Sequence, residues 1–270
     1  MSKTNNDNDS NRETSNSDNL GKIFICGAGP GNPKLLTIRA LELINESDVI
    51  LYDRLVGENI IKLFPERTEK VYVGRGIGDP TTHQNKTNEL MLEYSKKGKK
   101  VLRLKGGDPF IFGRGGEEAE FLKSNNISFE IVPGITSGIG AAIYSGIPLT
   151  HRKYSSSVAF VTGHEDPEKK TPIVNWEKLF DVVDTVVIYM GTEKLEIIIE
   201  KIRKGNISGN TKVAIIENST LKNQRIITGE IDNIVKKAKH ENVKPPAIVI
   251  IGDTVSLNEN INWYLQRDSL

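Results

Sequence analysis

The chain has 270 residues, and 36 Lys and Arg against 35 Asp and Glu leave a formal charge of +1. Such a balance gives no global field to draw in nucleic acid or an anionic membrane, so an anionic partner must be met by a local group of arginines. One cysteine, Cys26, excludes a disulfide framework or a zinc site of cysteine pairs, and neither an apolar run of about 18 residues nor a signal-peptide order is present, all of which points to the cytoplasm.

Residues 1–20 hold thirteen Asn, Asp or Ser and bury too little apolar surface to offset the entropy of ordering, so they read as a disordered tail. The folded chain is expected from Gly21. Lys22 to Cys26 is a short apolar strand running into Gly27-Ala-Gly-Pro-Gly-Asn-Pro33. The spacing is G-x-G-x-G rather than G-x-G-x-x-G, and Pro30 and Pro33 interrupt the place where a dinucleotide-binding helix would open, which disfavours a Rossmann site. A helix follows near Leu35 or Thr37, with Ile38, Leu41, Leu43 and Ile44 at helical spacing.

Asp48 to Tyr52 returns as a strand, which makes a parallel crossover unit. Asp53 and Arg54 stand at its end, where open parallel sheets bind ligands, and serve either there or as a surface ion pair. Lys70 to Val73 is a third strand with a glycine-rich exit carrying Arg75. Gln84 to Ser95 is an amphipathic helix closed by the lysines of 96–100. Val101 to Leu104 is a buried strand, and Lys105-Gly-Gly-Asp-Pro-Phe-Ile-Phe-Gly-Arg-Gly-Gly-Glu-Glu118 leads from it into a helix over Gly116 to Lys123. Gly106 and Gly107 let backbone approach a ligand, Asp108 is held by Pro109, and Arg114 lies just beyond: a small-molecule cradle, or in isolation only a turn.

Ile127 to Val132 is a fifth strand ending in Pro133-Gly-Ile-Thr-Ser137, and Gly138 to Tyr144 is a small-residue helix that packs closely. A linker then leads to a second strand-and-helix series: strands at Ser157–Thr162, Thr185–Tyr189, Lys212–Ile216 and Pro246–Ile251, an extended segment at Gln224–Thr228, and helices at Trp176–Phe180, Leu195–Arg203 and Ile231–Lys239. His164, Glu165 and Asp166 are adjacent on a loop and so are not expected to converge on one metal ion.

In this order and spacing, Gly27-Ala-Gly-Pro-Gly31, Tyr52-Asp-Arg-Leu-Val56, Gly106 to Glu118, Val132-Pro-Gly-Ile-Thr-Ser137, Gly146-Ile-Pro-Leu-Thr-His-Arg152, Tyr189-Met-Gly191, Glu217-Asn-Ser-Thr220 and Pro246-Ala-Ile-Val-Ile resemble the tetrapyrrole methylase family, and within it the uroporphyrinogen branch. The resemblance runs from about Gly21 to Tyr264. It implies an α/β fold: two α/β domains with mostly parallel sheets and an inter-domain cleft, over residues 21–137 and 157–264 with a linker region at 138–156, assembled as a homodimer. It implies S-adenosylmethionine bound in that cleft in a folded shape against Pro30, Gly106, Gly107, Asp108, Ile111, Thr136, Ser137, Met190, Ser219 and Ala247, with no metal. The implied reaction is methylation of uroporphyrinogen III, twice, to precorrin-2 for sirohaem- or cobalamin-type synthesis, with Arg114 central and Glu117 and Asp53 assisting.

Arginine is a poor base, so Arg114 is expected to orient substrate, with the proton acceptor left open. The substrate's carboxylate-rich periphery suits guanidinium anchors, and Arg54, Arg75 and Arg152 lie on loops or the linker where such anchors are useful. Two departures stand out. Gly74-Arg75-Gly76-Ile77 replaces the family's Gly-Lys-Arg pattern, and no added dinucleotide domain is seen, so the product is expected to be neither oxidised nor metallated. A methylase acting on a later corrin intermediate or on a protein residue, and a nucleotide-binding oxidoreductase or non-catalytic binding module, are the alternatives.

Overall fold

The computed structural model describes residues 20–74, 82–164 and 174–264. In chain order the first series comprises β1 (Ile23–Gly27), α1 (Ile38–Glu46), β2 (Val49–Tyr52), α2 (Glu58–Ile61), β3 (Glu69–Tyr72), α3 (Thr82–Lys96), β4 (Val101–Lys105), α4 (Gly115–Ser124) and β5 (Phe129–Val132). The second comprises α5 (Ser137–Tyr144), β6 (Val158–Thr162), β7 (Thr185–Tyr189), α6 (Leu195–Ile202), β8 (Lys212–Glu217), β9 (Arg225–Glu230), α7 (Ile234–His240), β10 (Ala247–Ile251) and α8 (Asn258–Ile261). Among the described residues the strands form two five-stranded sheets, ordered β3-β2-β4-β1-β5 and β6-β7-β10-β8-β9.

The first sheet is wholly parallel. In the second, β6 and β7 are parallel while β10 runs antiparallel to β7 and β8, and β8 to β9. Parallel pairing therefore predominates over the two sheets together but not within the second. For β8 and β9 the reason is connectivity: they are joined by a short turn through Leu221 and Gln224, which permits only antiparallel pairing.

Each sheet is covered on both faces, which is why its strands read as continuous apolar runs. In the first, Phe24, Cys26, Ile50, Leu102 and Leu104 pack against Ala40, Leu43 and Ile44 of α1. Thr37 caps that helix, its hydroxyl accepting from Ala40 N–H at 3.1 Å, so the helix starts after the prolines. Ile38 and Leu41, although in step with the apolar positions, are exposed. The opposite face joins Ile23, Ile25, Val49, Leu51 and Val101 to Met91 of α3 and Leu122 of α4. In the second sheet Leu195, Ile198, Ile199 and Ile202 of α6, at i, i+3, i+4, i+7, pack on Val186, Ile188, Val213 and Val249.

The other face of that sheet takes Ala141 and Ala142 of α5 against Val187, Tyr189, Ile216 and Ile250, so the helix expected at the start of the linker packs in the second sheet's core. The expected helix at Trp176–Phe180 is instead a turn with a 3-10 segment at Leu179–Asp181. So short a helix nucleates poorly, and Trp176 with the partly buried Leu179 and Phe180 is pulled onto the α6 core. The four-residue α2 was not anticipated. The N-terminal tail up to residue 19 lies outside the described residues.

Candidate active site

Because β1, β2, β4 and β5 are parallel, their exits gather at one edge of the first sheet. Gly107 N–H donates to the Gly29 carbonyl at 2.7 Å and Gly29 N–H to the Gly107 carbonyl at 3.0 Å, lacing the β1 and β4 exits together. A Cβ on Gly27 would lie 2.5 Å from the Gly107 oxygen and 2.7 Å from Gly134 Cα, so three backbones meet where a side chain does not fit. Gly107 itself has φ +71°. Asp108 holds the loop. Its Oδ1 accepts from Phe110 and Ile111 N–H at 2.8 and 3.2 Å, and its Oδ2 accepts from Gly134 N–H at 3.0 Å, joining the β4 and β5 exits. Phe110, Ile111 and Phe112 are left exposed beyond it.

The second sheet presents the end of β7, the end of β8 and the start of β10 at one edge, because β10 is antiparallel to both. Ala247 pairs with Glu217, and Asn218 N–H donates to the Pro246 carbonyl at 3.1 Å. Met190, directly after β7, is half exposed with φ +53°, and Ser219 is buried.

Two ties join the edges. The Tyr189 hydroxyl lies 2.8 Å from the Thr136 hydroxyl and accepts from Gly138 N–H at 2.9 Å, while its ring meets Phe112 at 4.9 Å. Burial raises the Tyr189 phenol above its ordinary value, against the opposing pull of those hydrogen bonds. Thr220 Oγ1 donates to the Pro30 carbonyl at 3.3 Å and accepts from Asn32 N–H at 3.3 Å. Of the seven non-glycine residues with positive φ among the described residues, Phe112, Arg114, Met190, Asn218 and Thr220 stand at these strand exits, leaving only Asn126 and Asn242 elsewhere. Backbone of this kind collects at ligand sites.

A buried charge cluster underlies the first edge. Arg103 Nε and Lys105 Nζ each donate to Glu118 Oε1 at 3.0 Å, and Arg103 Nη2 reaches Asp53 Oδ2 at 3.3 Å. Burial and then the Arg103 charge push the Lys105 ammonium below its ordinary value. Burial alone would raise the Glu118 carboxyl, but the two cations outweigh it and hold it low.

A family model for the Tetrapyrrole (Corrin/Porphyrin) Methylases matches residues 22–235. The chain is 46% identical over 243 residues to the S-adenosyl-L-methionine-dependent uroporphyrinogen III methyltransferase of Methanosarcina barkeri, covering 90% of this chain and 95% of that protein. The chain belongs to the tetrapyrrole methylase family. It is also 45% identical to the siroheme synthase of Pseudoalteromonas atlantica, covering 90% of this chain but only 52% of that protein, so it spans about half the length of such relatives. Among solved structures, the uroporphyrin-III C-methyltransferase of Thermus thermophilus complexed with S-adenyl homocysteine superposes with a TM-score of 0.76 at 34% identity, covering 88% of this chain and all of that one.

Within this tetrapyrrole methylase, Pro30, Gly106, Gly107, Asp108, Ile111, Thr136, Ser137, Met190, Ser219 and Ala247 stand at strand ends or on the segments next to them on the two sides of the seam, where direct contacts tie Pro30 to Thr220 and Thr136 to Tyr189. Asp53 and Arg54 lie beside it, since a Cβ on Gly106 would touch Leu55. Arg114 has φ +58° at the start of α4, is exposed, and donates from Nε to Glu117 Oε1 at 3.2 Å. Arg152 does not join them. Its turn, closed by His151 N–H on the Ser155 carbonyl at 2.8 Å, is held by Ser155 against Thr185 at the start of β7, the end opposite Met190. The peptide after α5 must reach that end to begin β6 parallel to β7. Arg75 and the Glu165 and Asp166 pair lie outside the described residues. Sequence reasoning did not single out Arg103, Lys105 and Glu118 as a cluster; the signal was two cations, two positions apart, on an otherwise apolar buried strand.

Proposed function

We propose that the chain transfers methyl groups from S-adenosylmethionine to pyrrole carbons of uroporphyrinogen III, twice, giving precorrin-2 for sirohaem- or cobalamin-type tetrapyrrole synthesis. The observation that carries this is the joined pair of edges in a chain matching a methyltransferase of that name over nearly its whole length. The donor set suits a folded nucleoside sulfonium. It offers backbone groups around Gly106 and Gly107, hydroxyls at Thr136 and Ser137, and apolar surface at Ile111 and Met190, while Asp108 is occupied in holding the loop.

Bound there, S-adenosylmethionine supplies an already activated methyl group. What remains for the protein is alignment and exclusion of water. Exposed Phe110 and Phe112 offer flat apolar surface to a macrocycle, and Arg54 and Arg114 present guanidinium groups to its carboxylates. Arg114 orients a carboxylate or pyrrole with Glu117 holding the guanidinium, and Asp53, the carboxylate at the β2 exit, assists at the proton that leaves the methylated ring. Arg75 is assigned as a further anchor. Arg152, which lies at the far end of β7, is assigned none within one protomer.

A homodimer in the cytoplasm completes the reading. Ile139 and Ile143, one turn apart on α5, are exposed beside Trp263, whose indole N–H donates to the Ile143 carbonyl at 3.0 Å. That strip suits a second copy of the chain. Among the described residues no helix is long and apolar enough to cross a membrane. The test is incubation with uroporphyrinogen III and labelled S-adenosylmethionine followed by mass measurement. Two added methyl groups are expected; an unchanged tetrapyrrole with a folded protein refutes the reading.

A further inference from the structure

We propose that Arg103 is a positioning residue that holds the Asp53 carboxylate at the active-site edge, and that Glu118, itself held by Lys105, fixes Arg103. The inference rests on the methyl-transfer reading above. Val101, Arg103 and Lys105 alternate onto one face of β4, the face that Leu122 of α4 covers, so that face turns from apolar to cationic as the strand nears its exit. Arg103 is paired in register with Leu51 of β2, and Asp53 follows two residues later on the same face.

All three nitrogens of the guanidinium are engaged. Nε goes to Glu118 at 3.0 Å, Nη1 to the Leu104 carbonyl at 3.0 Å and the Leu51 carbonyl at 3.5 Å, and Nη2 to Asp53 at 3.3 Å. The Arg103 and Glu118 side chains are 6% and 0% exposed, whereas Asp53 is 23% exposed, so Asp53 is the member through which the cluster meets the site. Its other oxygen accepts Leu55 N–H at 3.0 Å, in the turn whose Leu55 lies against Gly106. The carboxylate is thus gripped on both oxygens, by its own turn at the β2 exit and by the buried cluster.

Burying three ionisable groups under a sheet edge, with a fourth partly buried beside them, is not a stabilising choice, because desolvation offsets the attraction and an apolar replacement is commonly as stable. A rigid guanidinium fork locked by packing is instead the arrangement that fixes the position of the group it holds.

The experiment is a kinetic cycle with Arg103→Lys, Arg103→Met and Asp53→Glu, in the full chain, alongside calorimetry with S-adenosylhomocysteine. Arg103→Lys is expected to lower kcat on the order of 10²-fold, the loss typical of a catalytic group displaced by about 1 Å. KM values and S-adenosylhomocysteine affinity should remain within about twofold, the range set by leaving the binding contacts untouched. In the Asp53→Glu background either Arg103 change should add little, because both act through the same carboxylate. Where Arg103→Met does not fold, the isosteric Glu118→Gln carries the comparison. Losses that multiply with Asp53→Glu, or an Arg103 variant with wild-type kcat, overturn the proposal. A wild-type protein that binds S-adenosylhomocysteine without methylating uroporphyrinogen III overturns the methyl-transfer reading instead.

Discussion

Tyr189→Phe tests whether the two sheet edges are held at a fixed separation by one hydroxyl. The substitution keeps the ring contacts with Phe112 and Phe160 and removes only the oxygen that meets Thr136 at 2.8 Å and Gly138 N–H at 2.9 Å. Gly138 is the second residue of α5, so its N–H is one of the donors a helix start leaves without an internal partner. Losing the acceptor strands a buried donor, which costs about 1–3 kcal/mol. At about 2–4 °C per kcal/mol, a central loss of about 2 kcal/mol lowers Tm by about 4–8 °C. Thr136→Val, which leaves the Gly138 contact in place, should cost about 1 kcal/mol, the net worth of one hydrogen bond. Thermal melts by circular dichroism measure both, and calorimetry should show severalfold weaker S-adenosylhomocysteine binding for Tyr189→Phe, since Met190 follows directly. A Tm within about 1 °C of the wild type would refute the reasoning, because the hydroxyl would then be replaceable by solvent.

Gly27→Ala places a Cβ against backbone of both Gly107 and Gly134 and should cost about 3 kcal/mol, whereas a Cβ on Gly116 meets nothing within 4 Å and Gly116→Ala should gain about 0.5–1 kcal/mol in α4; urea midpoints decide both. The Glu118 carboxyl is held low in the folded protein. Its contribution is therefore complete above the unfolded value of 4.5 and disappears as pH falls through the folded value, so acid unfolding of Glu118→Gln should show a shallower fall below pH 4.5 than the wild type. Cys26 is fully buried, with burial pushing its thiol up to about 12, so a disulfide reagent should label it only after denaturation. Arg114→Ala should keep S-adenosylhomocysteine affinity while abolishing turnover, because the guanidinium is exposed beside the cradle and takes part in none of the loop's backbone ties; normal turnover would remove Arg114 from the mechanism.

Much of the fold was legible because burial writes a period into the sequence. The helix expected over Leu195–Arg203 and the first helix, expected to start after the prolines near Leu35 or Thr37, are cases in point. Strand direction was legible in the first sheet, where the β1–α1–β2 order reads as a parallel crossover, but not in the second. Lys212 to Glu217 and Ala247 to Ile251 are apolar runs buried on both faces, and such runs read alike whichever way they pair. The site divided along similar lines. Its glycines mark themselves, since Gly27, Gly107 and Gly134 stand where backbones touch. The positive φ of Met190 and Arg114 carries no such mark, because tertiary contacts impose it on residues that do not favour it. Arg103 and Lys105 were passed over for a related reason: cations usually end in solvent, and only the approach of Glu118 from α4 shows that these two do not.

The small residues of α5 connect these threads. Read alone, Ser137-Gly-Ile-Gly-Ala-Ala-Ile-Tyr144 indicates only a helix that something approaches closely. The structure shows what approaches: a Cβ on Gly138 would lie 2.3 Å from the Tyr189 hydroxyl, and one on Gly140 would lie 2.8 Å from Pro30 Cγ. The helix is therefore a thin wedge between the edges, with β7 against Gly138 and the β1 exit against Gly140, about half a turn on. At its far end Tyr144 receives the Asn32 side-chain amide on its hydroxyl at 3.2 Å and Gln224 Nε2 on its carbonyl at 2.9 Å. A bulkier helix would part the two sheets before any ligand could bridge them. The width of the seam is set by the absence of two side chains as much as by the contacts that close it.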